Sequence, residues 1–419
     1  MTHNDGGRSA ATGELDPGPA PPLVIATILR AEGNTGVHTH FQQLCRYLRE
    51  GPAKTTIVTP FAWSRAATLP VFGFRRLITP CSTAASVVWY RHWHEVFLVR
   101  ALRKTLLRTG DCVVYAQCPV AARAALRARR GPHQRVVMAV HFRISQADEW
   151  ADKHQIRPDG AVFRGIRRLE REVIPQVDGL MYVSRWARRA LTEWLPEAAA
   201  VRSVIIHNFV AAPSPAPEPQ PGQGPLGDLV TVGHLELVKN HRYALEVLAE
   251  VKRLGRSLTL DVYGEGPLRR DLLEQARALG LAEQVRLRGF QPDVRSFLPR
   301  YRAYVHSSYS ESSSLAIIEA MAAGLPVVAG DIGPISELCG EGGEARFWPL
   351  DDPGRAAETL LGLLDHEPAR QAAADAARRR FRRDFDAEVV GPQLVSFLLG
   401  IRGPAAERGL FLAAERPVG

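Results

Sequence analysis

The sequence has little that would tie it to a secreted, fibrous or membrane-spanning class. Its five cysteines, Cys45, Cys81, Cys112, Cys118 and Cys339, form no CxxC pair and no short Cys/His cluster. That excludes a disulfide-stapled scaffold and a zinc site of usual spacing, and an odd, scattered set suits reduced thiols in cytoplasm. No stretch approaches the ~20 consecutive apolar residues that cross a bilayer, so any membrane contact is expected to be peripheral. The opening run, MTHNDGGRSAATGELDPGPAPP, lacks an apolar centre. Residues 1–21 therefore read as a disordered leader and not as a signal peptide. Aromatics are sparse at 7%, yet 46% hydrophobic and 23% charged residues describe a globular protein, not a collagen-like or disordered one.

Acidic residues are also in deficit, with 44 Asp and Glu against 53 Lys and Arg, for a net charge of +9. The imbalance is confined to the front: residues 1–215 hold 29 basic and 16 acidic side chains, residues 216–419 hold 24 and 28. Such a front half suits an anionic surface, nucleic acid or acidic lipid. Arginine greatly outnumbers lysine, so an arginine-rich coding bias produces the same excess. At 419 residues, two domains with separate cores are the default.

From Leu23 the sequence alternates short β-branched runs with amphipathic segments, the pattern of a parallel sheet with crossover helices. The front strands are LVIATIL, TTIVTP, CVVYAQ, RVVMAVHF, GLMYVS and VRSVIIHN; the rear strands are DLVTVGHL, SLTLDVYG, QVRLRGF, AYVHSS, PVVAGD and ARFWPL. Between the two sets, AAPSPAPEPQPGQGPLG is too rich in Pro and Gly to pack. The expected organisation is a front α/β domain over 22–210, a linker over 211–227 and a rear α/β domain over 228–385. A helix and tail follow over 386–419, with a return to the front domain as one option. Two doubly wound domains make a cleft, and ligands of open parallel sheets bind at the carboxyl ends of the strands.

The strand-to-helix loops carry the candidate chemistry. In SYSESSSLAIIEAMAAGLPVVAG, Glu311 and Glu319 are spaced E-x7-E around a helix start. With Ser312 or Ser313 as N-cap, free N–H groups face outward and would bind phosphate. Residues 312, 316 and 319 would share a stripe that aims Glu319 back at that site. There a carboxylate can accept from a ribose diol, and Glu311 from sugar hydroxyls; a serine-capped helix with one inward Glu paired to an Arg fits the same letters. Lys239, directly before an expected helix start at Asn240, is better explained by a bound anion than by helix stability. Gly264 and Gly266 form a GxG turn that permits close backbone approach, but without the third glycine of a dinucleotide fingerprint. In the front half, Gly33 and Gly36 form a loop into a helix, and His141 ends a strand with its imidazole expected in the cleft. His38, His40, His92 and His94 come without a carboxylate or cysteine ligand set, so no metal is expected.

Taken in order, VTVGHLELVKN, LDVYGEGPLRRDLLEQARALGL, VRLRGFQPDV, SSYSESSSLAIIEAMAAGLPVVAGDIGPISEL and WPLDDP closely resemble the rear domain of the GT-B glycosyltransferases commonly called family 4. TGVHTHF, AVHF, MYVSRWARRAL and VIIHNFV match the front domain more loosely. The resemblance implies a metal-independent, retaining transferase that needs no cofactor and moves a sugar from a nucleotide-diphosphate-sugar donor to an acceptor hydroxyl. It assigns Lys239 to the diphosphate, Glu311 to the donor sugar and Glu319 to the ribose. Backbone N–H groups of Ser314 and Leu315 would meet the phosphates, the Gly36 loop would close on them, and His141 would touch the transferred sugar. His234 stands where an arginine is usual, Ser313 and Ser314 replace a common Phe-Gly pair, and HNFV, with Asn208, replaces an Asn-Gly-Val-Asp run. Acceptors of such enzymes often sit on lipid carriers, which gives the basic front half a role: Arg100, Lys104 and Arg108, and Arg123, Arg127 and Arg130, as contacts to an anionic membrane surface. The expectation is a cytoplasmic, peripheral enzyme of exopolysaccharide or cell-surface glycan synthesis, with no nucleic-acid partner. A transferase acting on a small soluble acceptor and a sugar-nucleotide epimerase of the same fold are the alternatives.

Overall fold

The computed structural model describes residues 20–30, 36–213, 225–340 and 342–401. The expected leader, most of the Pro/Gly linker, the Gly33 loop and the tail beyond 401 lie outside the described residues. The front domain runs β1 (Leu23–Ala26), α1 (Gly36–Glu50), β2 (Thr55–Val58), α2 (Arg65–Ile78), α3 (Thr83–Thr109), β3 (Cys112–Ala116), α4 (Pro119–Ala128), β4 (Gln134–Val140), α5 (Gln146–Asp152), α6 (Ala161–Val173), β5 (Gly179–Tyr182), α7 (Arg185–Trp194) and β6 (Ser203–Ile205). The rear domain follows with β7 (Leu229–Val232), α8 (His241–Arg253), β8 (Leu260–Tyr263), α9 (Arg269–Ala278), β9 (Val285–Gly289), β10 (Ala303–His306), α10 (Leu315–Ala322), β11 (Val327–Gly330), α11 (Gly333–Cys339), β12 (Ala345–Trp348), α12 (Pro353–Leu364) and α13 (Glu367–Asp384). A last helix, α14, spans Ala387–Gly400.

Each domain carries one six-stranded parallel sheet, ordered β2-β1-β3-β4-β5-β6 in front and β12-β11-β10-β7-β8-β9 behind. Helices cover both faces, which is why the central strands read as continuous apolar runs: Val136 to Val140 of β4 are wholly buried, whereas the edge strand β9, VRLRG, alternates. In front, one face packs on α3 and α4 and the other on α1 and α14. The rear faces pack on α8 and α12 and on α10 and α13. The chain thus crosses between the domains twice, since α14 leaves the rear domain and buries Val390, Leu394 and Leu398 against Leu23, Ile25 and Val113 of the front one. Gly391 makes that docking possible: a Cβ there would fall 2.0 Å from the Tyr47 ring.

Candidate active site

The rear sheet reverses its winding between β7 and β10, which lie side by side. The loops leaving these two strands carry Lys239 and Glu311, so both side chains converge at the switch point where open α/β sheets hold ligands. The loops are stitched together: the Ser307 hydroxyl donates to Asn240 O at 2.8 Å, and the Tyr309 N–H donates to Val238 O at 3.2 Å. Lys239 ends a short 3-10 turn, Leu237–Lys239, and Asn240 caps α8 with φ at 49°. The helix expected to start at Asn240 therefore starts one residue later, after a left-handed residue that Asn tolerates better than most side chains.

Lys239 and Glu311, assigned from the sequence to different parts of a donor, touch each other. Lys239 Nζ donates to Glu311 Oε1 at 2.5 Å, and His306 Nε2 lies 3.3 Å from the same oxygen. Burial alone would raise the Glu311 carboxyl, but Lys239 and His306 outweigh it and hold it down at about 2. Glu311 is consequently a carboxylate at neutral pH. His306 was missed in the sequence, although it ends a strand just as His141 does.

Above this pair stands the N-terminus of α10. Its N-cap is Ser314, whose side chain makes no capping bond; the capping role expected of Ser312 or Ser313 is not filled by either. The Ser313 hydroxyl is buried without a partner, and the Ser312 carbonyl instead accepts from Ser184 of the front domain at 3.2 Å. Ser312 is thus off the helix, and the stripe drawn through it holds only for Ala316 and Glu319. Among the described residues, the N–H groups of Leu315, Ala316 and Ile317 have no partner, as the first turn of any helix requires. Glu319 is half-buried and its carboxyl has no hydrogen-bond partner among the described residues; burial pushes it up to about 7, Arg295 opposing and Asp293 reinforcing.

The glycines of the third loop serve the protein itself. Gly264 has φ at 144°, and a Cβ there would fall 1.9 Å from Gly233 O; one at Gly266 would fall 2.6 Å from Leu235 O. The close approach expected for a ligand is made by the neighbouring chain, with the Leu235 N–H donating to Glu265 O at 2.9 Å. On that neighbour, His234 is exposed and its Nδ1 sits 3.2 Å from Glu236 Oε1, a bond that draws the Glu236 carboxyl below its usual range.

The front domain contacts the loops of this site. His141 follows β4, with Nε2 3.2 Å from Gln117 Oε1; burial lowers its imidazole to about 4, so it is neutral and offers one donor and one acceptor. Asn208 is buried, and Gly36 is the first residue of α1. From α5, Asp152 accepts from Ser310 at 3.2 Å and Lys153 lies 3.7 Å from Glu236, so one short helix touches both rear loops. Glu337 of α11 accepts from the N–H groups of Arg185 and Trp186 at 2.7 and 2.8 Å, capping α7 across the domain boundary.

Two facing α/β domains with a cleft at their switch points are the GT-B architecture. Residues 223–380 match the family described as Glycosyl transferases group 1, and residues 35–208 match the Glycosyl transferase 4-like domain, one match on each domain. The chain is 30% identical over 261 residues to glycogen synthase of Mycobacterium tuberculosis, covering 62% of each protein. It is 27% identical over 396 residues to phosphatidyl-myo-inositol mannosyltransferase of Mycolicibacterium smegmatis, covering 91% of this chain and 94% of that one. Among solved structures, sucrose-phosphate synthase from Thermosynechococcus elongatus shares the fold at 15% identity and a TM-score of 0.68, over 90% of this chain and 98% of that one. Anabaena HepE, solved with UDP and glucose, shares it at 16% and 0.65, over 91% and 100%.

Proposed function

We propose that this chain transfers a sugar, with retained anomeric configuration and without a metal, from a nucleotide-diphosphate-sugar to a hydroxyl on a lipid-linked acceptor, in exopolysaccharide or other cell-surface glycan synthesis. The observation that carries it is the Lys239–Glu311 pair beneath the free first turn of α10. Lys239 and the α10 N–H groups neutralise the diphosphate as the sugar's bond to it breaks, which is where such a reaction needs help. Glu311 accepts from the donor sugar, Glu319 from the ribose hydroxyls, and neutral His141 bonds a hydroxyl of the transferred sugar. His234, Gly36, Ser313 and Ser314 shape the donor pocket, with Gly264 and Gly266 fixing the loop under it. The leaving phosphate oxygen takes the acceptor proton on the face it vacates, so the new glycosidic bond forms where the old one broke.

A thermal-shift screen of nucleotide diphosphates and their sugars tests the donor site. A ligand at 100 times its dissociation constant adds about 2.7 kcal/mol, or roughly 5 to 10 °C for a domain of this size; a folded sample that shifts with none of them rejects the proposal. A small soluble acceptor is the second reading, favoured by a cavity of about 260 Å3 beyond β1 lined by Phe61, Phe72, Tyr90 and His94. Recovery of the glycosylated product from the aqueous and not the lipid fraction decides for it.

A further inference from the structure

Surface helices present charge to water, and α2 does the opposite. Its inner face, Thr68, Val71, Phe72 and Arg75, packs toward α3: the Trp89 indole donates to Val71 O at 2.9 Å, and the Arg75 guanidinium lies over Tyr90 and donates to Ser86. Its outer face is Ala66, Leu69, Pro70, Gly73, Phe74 and Leu77, one continuous exposed stripe with Arg76 at its edge among the described side chains. Leu69 is 57% exposed, Phe74 48% and Leu77 67%. With Trp63 and Val88 they form half of the ten large apolar side chains exposed among the described residues. A patch of this kind marks an interaction surface.

The charge around it names the partner. Residues 51–94 contain five Lys and Arg, of which Arg91 is buried and donates to Gln146, and no Asp or Glu. The next acid, Glu95, is buried and ion-paired with both Arg123 and Arg127, so it presents no negative charge to this surface, and Arg127 stays exposed while paired. Arg100, Arg103, Lys104 and Arg108 of α3 remain exposed. Apolar side chains in a cationic field without acids fit an anionic bilayer, the apolar groups entering the acyl boundary and the cations meeting headgroups. The inner face of the same helix lines the cavity beyond β1 through Phe72 and Arg75, so docking would seat that cavity against the lipid surface.

We propose that the α2–α3 hairpin docks this protein onto an anionic lipid bilayer by inserting Leu69, Phe74 and Leu77. This deepens the lipid-linked acceptor reading and rests on it for its purpose. The protein carries its own reporter, because Cys81, between the two helices, is the one exposed cysteine among five. With an environment-sensitive fluorophore on Cys81, phosphatidylglycerol-rich vesicles should shift the emission to the blue, and phosphatidylcholine vesicles should not. Raising salt before mixing should weaken the response, since the encounter is electrostatic. Leu69→Ser, Phe74→Ser and Leu77→Ser together should cut vesicle co-sedimentation by about tenfold or more, with an unchanged melting temperature, while Leu254→Ser on the rear domain should not. No blue shift, or equal sedimentation of the triple variant, overturns the proposal. So does an emission already blue before lipid is added, which would mean that the stripe is covered by the chain itself or by a second copy. Nucleotide-diphosphate binding, measured on the same samples, separates the two readings: binding without docking sinks only the membrane surface, and docking without binding sinks only the transferase assignment.

Discussion

Glu319 is half-buried beside the first turn of α10, with its carboxyl raised from 4.5 to about 7 by burial. A carboxyl held above its unfolded value stabilises the fold in full below about pH 4.5, and that contribution is lost as pH rises through about 7. Binding runs the other way, because only the carboxylate accepts from both hydroxyls of a ribose. Nucleotide-diphosphate affinity should therefore rise about tenfold from about pH 6 to about pH 8, following the ionised fraction of one such group. Titration calorimetry should show the rise flattened in Glu319→Gln and with a 2′-deoxynucleotide; an unchanged slope in both would place the ribose elsewhere. His234 makes a second case. Its ring bonds Glu236, and an arginine would keep that bond while adding a permanent charge beside the diphosphate. His234→Arg should match or exceed wild-type kcat/KM across a pH profile, since the guanidinium charge is permanent. A severe loss across the profile would mean that the imidazole itself is needed.

Between elements, the strongest single tie from the rear domain to the front is Glu337, whose two carboxylate oxygens take the first two N–H groups of α7. It serves as that helix's anionic cap from another domain, alongside Ser184, which caps locally by accepting from Ala187. Glu337→Ala should cost about 1 to 2 kcal/mol in denaturant unfolding, the range for losing a cap, and should widen the domain spread seen by small-angle scattering. Unchanged scattering would confine Glu337 to stabilising α7. None of this was legible in GPISEL, because the partner lies 151 residues away and belongs to another fold unit. The central strands, by contrast, were legible because a strand covered on both faces must be apolar along its length, as CVVYA and VVAG are; edge strands such as VRLRG and ARFW carry arginines and were read from their β-branched and aromatic residues and flanking turns. The Lys239–Glu311 contact was hidden for a different reason, since it depends on β7 and β10 being neighbours although β8 and β9 intervene in the sequence. At α10, three consecutive serines made the cap degenerate, and the choice of Ser314 follows from the bond that holds Ser312 to Ser184.

At the scale of the whole molecule, the charge asymmetry and the chain path point to separate duties. Lys239, Glu311 and the first turn of α10 all belong to the rear domain, and the cationic excess sits in front, yet the front domain is not built from the front of the chain alone. Val390, Leu394, Leu398 and Ile401 are all nearly inaccessible within the front core. At about 1.5 to 3 kcal/mol for each fully buried aliphatic side chain, they contribute roughly 6 to 12 kcal/mol, which is as large as the net stability of a typical domain at about 5 to 15 kcal/mol. The front domain without α14 would also expose Leu23, Ile25 and Phe41 to water. A chain stopped after Asp386 should therefore lose the folded front domain while keeping the rear one, whose two cores contain none of these residues. Calorimetry should show one of the two unfolding transitions gone, and nucleotide diphosphate should still raise the other, because Lys239, Glu311 and the first turn of α10 remain in place. Loss of both transitions would mean that the rear domain also depends on the returning helix. Two intact transitions would mean that α14 is a passenger on a front core already complete.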